Sequence, residues 1–340
     1  MAMTLLKQLR DMTIVVADSG DVDSITRFKP QDSTTNPALI AAAAAMPKYR
    51  PWVDQVLREA ADDCGPNADE KTVTDLTFRR LAVAFGRQIL KVIPGRVSTE
   101  VDARVSYDRD ATLKQARDLA QQYRDGGVSP DRVLIKIAAT WEGIQAAKEL
   151  ELEGIHCNLT LVFGIHQAAA CADAKVTLIS PSVGRILDWH RRASGQEFQG
   201  ADDPGVQSAT NIYNYLKKFS YRTAVMGASF RNISEIVQLA GCDLLTISPK
   251  LLAQLDSLCD TLPRVLSPQK ALESPVQQIV MDRETFEALH RSNPMASEEL
   301  TRGVEGFGAA LAGLERLLSA RLAVLKKAPR RSLLRVAEDT

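Results

Sequence analysis

The segment RVLIKIAATWEGIQAAKELELEGIHCNLTLVF, residues 132–163, joins two apolar runs through a helical pattern. RVLIKIAA and HCNLTLVF predict buried strands, because short uninterrupted apolar runs are typical of parallel sheets. WEGIQAAKELELEG, between them, carries charges four residues apart, which favours a helix. The segment therefore predicts a strand–helix–strand unit with parallel strands and a right-handed crossover.

The same alternation extends along the chain. Eight strand-like runs occur in the order TIVVAD, DSTTN, RVSTEVD, RVLIKIAA, HCNLTLVF, VTLISPSV, TAVMGASF and LLTISPK. Helical patterns separate them, and the second connection holds two, PALIAAAAAMPKYRPWVDQVLREAADD and DLTFRRLAVAFGRQILKVI. Eight such units in 340 residues predict an α/β fold of the (β/α)8 TIM-barrel type.

No fixed-period repeat or low-complexity linker divides the chain, so residues 1–327 are predicted to form a single barrel domain. Its last part, MASEELTRGVEGFGAALAGLERLLSARLAVLKK, has an amphipathic pattern and predicts a long C-terminal helix packed across the barrel. Residues 328–340 are predicted to be a basic, flexible tail.

Charge and cysteine content narrow the classes of binding partner and the cellular location that we expect. Lys plus Arg and Asp plus Glu both total 42, so no net field attracts nucleic acid or an anionic membrane. No apolar stretch approaches the roughly 20 residues that span a bilayer, and the first residues lack a secretion signal. Five scattered cysteines suit a reducing compartment. We therefore expect a cytoplasmic protein with small-molecule partners, no nucleic acid and no membrane.

Lys136 raises a specific question, because it lies in the middle of an apolar strand. A buried ammonium is costly unless it is paired or has lost its proton. Side chains alternate along a strand, so Lys136 shares a face with Leu134. It is expected to point into the barrel mouth, where the neighbouring strands also end. Asp18 and Glu100 have the same orientation on their strands, and Ser229 and Arg231 are expected to share it at the end of the seventh strand. Alone, each has a structural explanation: Lys136 as a charge that snorkels to water, Asp18 as a hydrogen-bonding residue at the start of a loop, and Glu100 as an acid on the outer face of its strand.

Together, a lysine, an aspartate and a glutamate at three strand ends are the set needed for covalent carbonyl chemistry. An ordinary lysine amine has a pKa of about 10.4, so a nucleophilic lysine must be desolvated to be neutral. Dehydration of the carbinolamine requires a proton donor that controls a water molecule, and Glu100 with Thr160 suits this task. Cleavage of a carbon–carbon bond beside the iminium requires a base, for which Asp18 is the candidate.

The chain also resembles a known family. VVADSGD, QDSTTNPALI, PGRVSTEVDARVSYD, RVLIKIAATWEGI, CNLTLVF, LISPSVGRILDW and VMGASFRN resemble, in order, the class I transaldolases of the pentose phosphate pathway. The resemblance runs from about residue 8 to residue 320. It implies a cytosolic (β/α)8 barrel, commonly a homodimer, that transfers a dihydroxyacetone unit from sedoheptulose 7-phosphate or fructose 6-phosphate to an aldose phosphate. It also implies that no metal and no organic cofactor is used.

The resemblance assigns roles to individual positions. Lys136 is expected to be the Schiff-base nucleophile, Asp18 the general acid/base, and Glu100 with Thr160 the pair that positions the catalytic water. The residues expected to hold substrate hydroxyls are Asn36, Asn158 and Ser180. Those expected to bind the sugar phosphate are Arg185, Ser229 and Arg231. The histidines show no metal spacing and are read as structural: His156, His166, His190 and His290.

Two departures from the family pattern stand out. The usual LFSFAQA reads VFGIHQA here, from which we expect little change in chemistry. The usual ISPFVGR reads ISPSVGR, so Ser182 replaces a phenylalanine beside the lysine and is a candidate specificity residue. Two alternatives therefore stay open: a transaldolase-like aldolase or specialised-pathway transaldolase with an altered substrate, and a catalytically silent barrel that binds sugar phosphates or a protein partner.

Overall fold

The computed structural model describes residues 3–327 of the chain. Eight parallel strands pair in chain order, and the last strand pairs with the first, so the sheet closes into a barrel. The strands are β1 Ile14–Asp18, β2 Asp32–Thr34, β3 Val97–Glu100, β4 Val133–Ala138, β5 Cys157–Val162, β6 Leu178–Pro181, β7 Ala224–Gly227 and β8 Leu244–Ile247. All eight predicted strands are confirmed, although most are shorter than the apolar runs that indicated them.

Helices surround the barrel. They are α1 Leu5–Arg10, α2 Val22–Phe28, α3 Pro37–Ala45, α4 Arg50–Cys64, α5 Glu70–Leu90, α6 Arg109–Asp125, α7 Trp141–Leu152, α8 Ile165–Asp173, α9 Val183–Ser194, α10 Pro204–Lys218, α11 Ile233–Gln238, α12 Pro249–Ser257, α13 Pro268–Leu272, α14 Arg283–Arg291 and α15 Pro294–Lys327. Within residues 3–327, short 3₁₀ helices occur at Pro47–Tyr49, Ala103–Val105, Pro130–Arg132 and Gly200–Asp202. The predicted (β/α)8 fold with a long C-terminal helix is confirmed.

The barrel interior has an apolar lower layer and a polar upper layer. Side chains from β1, β4, β6, β7 and β8 fill the lower layer with Val16, Leu134, Leu178, Met226 and Leu244. The residues two positions further along β1, β4 and β6 are polar and lie nearer the carboxyl ends. Since side chains alternate across a strand, this spacing directs the polar residues into the barrel mouth.

The second connection differs from its pattern in detail. The helical pattern over residues 37–63 forms two helices, α3 and α4, with a 3₁₀ turn between them. Pro47 begins that turn, because proline has no amide hydrogen to continue the α3 ladder. These helices and α5 form a second apolar core with α15, built around residues such as Leu57, Phe85 and Leu318.

The C-terminal part contains helices that the sequence pattern missed. α13 and α14 lie between the eighth unit and α15. α15 presents one apolar stripe, Ala296, Leu300, Phe307, Leu311, Leu314, Leu318 and Leu322, whose spacings of three, four and seven are those of one helix face. This stripe packs α15 against α3, α4, α5, α9 and the end of β5. The predicted tail, residues 328–340, lies outside the described residues.

None of the helices within residues 3–327 combines the length and the apolarity needed to cross a membrane.

Candidate active site

The carboxyl ends of the strands enclose a cavity of about 40 Å³ inside the barrel mouth. Eight of the eleven predicted site residues line it: Asp18, Asn36, Lys136, Thr160, Ser180, Ser182, Arg185 and Ser229. Glu100 and Asn158 lie behind this lining, whereas Arg231 lies outside it. The closed parallel barrel therefore brings together residues that are far apart in the sequence, because parallel strands all end at the same rim.

Lys136 occupies the centre of this site. It lies near the end of β4 and only 6% of its surface is exposed. Its Nζ donates a hydrogen bond to the Thr35 carbonyl at 3.2 Å and lies 3.3 Å from Glu100 Oε2. These two contacts hold the amine at the cavity wall, where a substrate carbonyl can reach it.

Glu100 is the carboxyl group next to the amine. It ends β3 and is 4% exposed, and within residues 3–327 its buried Oε2 accepts no hydrogen bond despite its closeness to Lys136. Burial raises the pKa of Glu100, while the positive charges of Lys136 and Arg185 oppose the rise. Glu100 is therefore suited to exchange a proton and to accept a hydrogen bond from a water molecule.

Asp18 lies at the end of β1, where its carboxyl group ends a short hydrogen-bonded chain of two threonine hydroxyl groups. Thr34 Oγ1 donates to Asp18 Oδ1 at 2.9 Å and lies 2.7 Å from Thr246 Oγ1. Burial raises the pKa of Asp18, and Lys136 is the strongest opposing influence. A carboxyl group with a raised pKa and a fixed orientation suits general acid/base catalysis.

Both polar atoms of the Asn158 side chain form hydrogen bonds in a network behind the cavity. Ser180 Oγ donates to Asn158 Oδ1 at 2.6 Å, and Asn158 Nδ2 donates to Ser98 Oγ at 3.1 Å. Asn158 is completely buried, and its strand neighbour Lys136 lies directly across the ladder. The observed contacts therefore place Asn158 as the support of Ser180.

The two predicted phosphate-binding arginines have different surroundings. Arg185, from α9, lines the cavity, and within residues 3–327 no acceptor forms a hydrogen bond or ion pair with its guanidinium. Burial lowers the pKa of Arg185, and the nearby charge of Arg231 adds to this effect. Arg231 instead donates from Nε and Nη2 to Asp188, at 2.9 and 2.8 Å. Arg185 is thus the guanidinium that faces the cavity without a protein partner.

The expected orientation on β7 was wrong. Strand alternation predicted that Ser229 and Arg231 point inward together, but Met226 is the inward residue of β7. Ser229 still reaches the cavity because its backbone adopts a left-handed conformation, with φ of 62°. This turn breaks the alternation and carries Arg231 to a neighbouring groove of about 610 Å³. Positive φ is rare outside glycine, so the loop is held in a strained conformation.

Ser182 and Asn36 also face the cavity. Ser182 is 2% exposed and its hydroxyl forms no hydrogen bond with a described residue. Asn36 caps the N-terminus of α3 and accepts the amide hydrogen of Leu39 through Oδ1 at 2.9 Å, which leaves its amide nitrogen to the cavity. Both side chains therefore retain groups that can bind a substrate hydroxyl or a water molecule.

Four residues of the site were not anticipated from the sequence as functional. Thr34 and Thr246 orient Asp18, Ser98 supports Asn158, and Phe307 of α15 closes the cavity from above. Strand alternation was a sufficient signal for Ser98 and Thr246, which share parity with inward-facing neighbours. Phe307 had no local signal, because its apolar spacing on α15 is the same as that of core residues.

The remaining grooves and histidines do not join this cluster. A groove of about 500 Å³ lies at the opposite end of the barrel beside Arg10 and Arg264, away from the lysine. His166 and His290 pair with each other at 3.0 Å. Among residues 3–327, no group of three or more His, Cys, Asp or Glu side chains is arranged to hold a metal ion.

A closed parallel barrel that collects an amine, two carboxyl groups and an unpaired guanidinium at the carboxyl ends of its strands has the arrangement typical of the active site of a (β/α)8 enzyme. The family model described as Transaldolase/Fructose-6-phosphate aldolase matches residues 15–318. The chain therefore belongs to the transaldolase/fructose-6-phosphate aldolase family, and the family expected from the motifs is confirmed.

Individual relatives agree with this assignment. The chain is 58% identical to a transaldolase of Acidobacterium capsulatum over 329 residues, which cover 97% of this chain and 99% of that protein. It is 59% identical to a transaldolase of Synechocystis sp. over 325 residues, 96% of this chain and 83% of the relative. A transaldolase of Methylococcus capsulatus is 57% identical over 329 residues, 96% of this chain and all of the relative.

Proposed function

We propose that this chain is a transaldolase that transfers a dihydroxyacetone unit from sedoheptulose 7-phosphate or fructose 6-phosphate to an aldose phosphate. The observation that carries the proposal is the buried amine of Lys136, 3.3 Å from Glu100 and in one cavity with Asp18 and the unpaired Arg185. In that arrangement a nucleophile, two proton-transfer groups and an anion-binding group face one substrate.

The first chemical stage is the formation of the Schiff base. The Lys136 amine attacks the ketose C2 carbonyl and forms a carbinolamine. Glu100 and Thr160 hold the water that delivers a proton to the C2 hydroxyl, so that the hydroxyl leaves as water and an iminium remains. The free acceptor capacity of the buried Glu100 Oε2 supports this role.

The second stage is the cleavage and the transfer. Asp18 takes the proton of the C4 hydroxyl, the C3–C4 bond breaks, and its electron pair moves to the iminium to give a neutral enamine. The shortened aldose phosphate leaves, and an acceptor aldehyde then reacts with the enamine by the reverse steps. The Thr34 hydroxyl, which donates to Asp18, supports this role by orienting the carboxyl group.

Phosphate recognition rests on Arg185, with Ser229 and Arg231 at the outer side. The cavity volume of about 40 Å³ holds only a few water molecules, so the phosphate end of a ketose extends toward the rim where Arg185 lies. Replacing Arg185 by Leu should weaken phosphorylated donors by roughly 1.5 to 3 kcal/mol and leave unphosphorylated dihydroxyacetone nearly unaffected. Replacing Arg231 by Leu should have the smaller effect, because Asp188 already pairs with it.

A test that separates the possible activities is a coupled assay with fructose 6-phosphate, with and without erythrose 4-phosphate. Transaldolase activity requires the acceptor, whereas an aldolase releases glyceraldehyde 3-phosphate without it. Borohydride added with fructose 6-phosphate should also inactivate the protein and leave a reduced three-carbon adduct on Lys136. Absence of product in both assays, or an adduct on another residue, would refute the mechanism.

One observation favours an aldolase as the second candidate. The hydroxyl of Ser182 faces the cavity without a described partner and has room to hold water. Water that reaches the enamine protonates it and allows hydrolysis to free dihydroxyacetone. The acceptor-free assay measures this leakage directly.

The cellular setting is also part of the proposal. We expect a cytoplasmic homodimer in the pentose phosphate pathway, on the basis of the family. The free cysteines at positions 64, 157, 171, 242 and 259 support a reducing compartment. Light scattering after size-exclusion chromatography tests the dimer, because a mass near 37.2 kDa would identify a monomer instead.

A further inference from the structure

Phe307 is the residue of the C-terminal helix that reaches the reacting lysine. It is 7% exposed and lines the same cavity as Lys136 and Arg185. The Lys136 Nζ lies 5.9 Å from the centre of its ring, and the Arg185 Cζ lies 5.2 Å from the same centre. One aromatic ring therefore stands within cation–π distance of both the nucleophile and the phosphate-facing guanidinium.

The packing of α15 brings this ring to the cavity. Gly303 lies one helical turn before Phe307 on the same face of α15. A Cβ atom at position 303 would lie 2.6 Å from Leu161 Cδ2 and 3.0 Å from Arg185 Nη1. Because glycine has no such atom, α15 approaches the end of β5 closely enough for Phe307 to cover the mouth of the barrel.

We propose that Phe307 is a positioning residue that stabilises the cationic iminium on Lys136 and orients the Arg185 guanidinium. The inference rests on the proposed function, since it concerns the same intermediate. A ring face is electron-rich, so it favours the positively charged iminium over the neutral carbinolamine and the neutral enamine. The ring thus acts at the step where a positive charge is created on the lysine nitrogen.

The effect on Arg185 is separate and concerns binding. Within residues 3–327 this guanidinium has no hydrogen-bonded or ion-paired partner, so we infer that contact with the ring helps to restrain its orientation. A restrained guanidinium loses less conformational freedom when it binds a phosphate. Weakening the ring is therefore expected to raise the KM of a phosphorylated donor more than that of dihydroxyacetone.

The test replaces Phe307 by phenylalanines with one, two and three ring fluorine atoms, which weaken the cation–π attraction progressively with little change in volume. The protein is incubated with dihydroxyacetone at low borohydride concentration, and the adduct on Lys136 is measured by mass spectrometry over time. We expect the initial rate of adduct formation to fall steadily across the series, by about 2- to 30-fold in total. With fructose 6-phosphate the decrease should be larger.

The matched control is the same series at Phe163, which is buried in the same apolar cluster but has no cation over its ring among residues 3–327. The Phe307→Leu variant keeps an apolar side chain but has no aromatic ring. Its initial rate of adduct formation should therefore also fall. Thermal unfolding of each variant verifies that it is folded.

The outcomes are distinct. An unchanged rate across the Phe307 series, in folded protein, overturns the inference while the wild-type adduct preserves the proposed function. An equal decrease for the Phe163 series also overturns it, because the effect is then general to packing. A wild-type protein that forms no adduct at all refutes the proposed function, and the inference with it.

Discussion

Replacing Glu235 by Gln should change how the stability of the protein depends on pH. Glu235 is 1% exposed and belongs to α11, directly after the loop that carries Ser229 and Arg231. Its Oε2 accepts the amide hydrogens of Arg231, at 2.6 Å, and Asn232, at 3.3 Å, whereas its buried Oε1 has no partner among the described residues. Burial, with a smaller contribution from the charge of Asp203, raises the pKa of Glu235 from 4.5 to about 7.

The sign of the effect follows from proton binding. Since the folded-state pKa is above the unfolded-state value, the folded protein binds more protons than the unfolded chain between pH 4.5 and about 7. The free energy of unfolding therefore falls as the pH rises through this window. At about 1.4 kcal/mol per pKa unit, the full shift amounts to at most roughly 3 kcal/mol, lost once the pH exceeds 7.

Glutamine retains an oxygen for the Arg231 amide but does not ionise. The stability of the Glu235→Gln variant relative to wild type should therefore increase by roughly 2 to 3 kcal/mol between pH 5 and pH 8. Urea unfolding followed by circular dichroism, at steps of half a pH unit, measures this difference. The control is Glu273→Gln, at an exposed position, for which the difference should be constant. If the Glu235→Gln difference is equally constant, the reasoning about this buried carboxyl group is wrong.

Three further predictions concern the site and its support. Ser182→Phe should lower the ratio of free dihydroxyacetone to transferred product, measured with and without acceptor, and an unchanged ratio and acceptor range would show that the serine is neutral. Thr34→Val removes the hydrogen bond to Asp18, so kcat for transfer should fall about 10- to 100-fold while borohydride trapping with dihydroxyacetone persists; a parallel loss of trapping would contradict this role. Gly86→Ala should destabilise the protein by about 1 to 3 kcal/mol in urea unfolding, because the new Cβ atom would lie 1.7 Å from a buried tyrosine hydroxyl. The control Gly313→Ala, whose Cβ atom meets only a flexible side chain at 3.8 Å, should not destabilise it.

The site residues depend on different parts of the fold, which explains why these substitutions are expected to affect different properties. Lys136, Glu100 and Asp18 lie on adjacent or nearby strand ends of a rigid barrel, so their mutual geometry depends on the sheet. Phe307 depends on the packing of α15, and Arg231 on the loop held by Glu235. In the proposed mechanism, substitutions at the strand ends and in the Arg231 loop should therefore separate chemistry on the lysine from phosphate binding, whereas a substitution of Phe307 should affect both.

Much of the fold was predictable because its signals are local. A strand of a closed parallel barrel is covered by helices outside and side chains inside, so each of the eight appeared as a short apolar or β-branched run. The alternation of these runs with helical patterns indicated parallel crossovers, and parallel strands necessarily end at one rim. For this reason Asp18, Glu100 and Lys136 were expected at one site, and the structure brings them together.

Other features depended on contacts that no local pattern specifies. The left-handed turn at Ser229 broke the alternation on which the inward orientation of Arg231 was predicted, and the ion pair with Asp188 required a helix from another unit. Phe307 has the spacing of an ordinary core residue on an amphipathic helix. The sequence alone determined the strand order and the chemistry of the strand ends, because periodicity and residue type are properties of short segments. The tertiary structure alone decided which residues cover, orient or neutralise the groups at the strand ends. Those contacts join residues that are far apart in the sequence, and their distance depends on how the entire barrel packs.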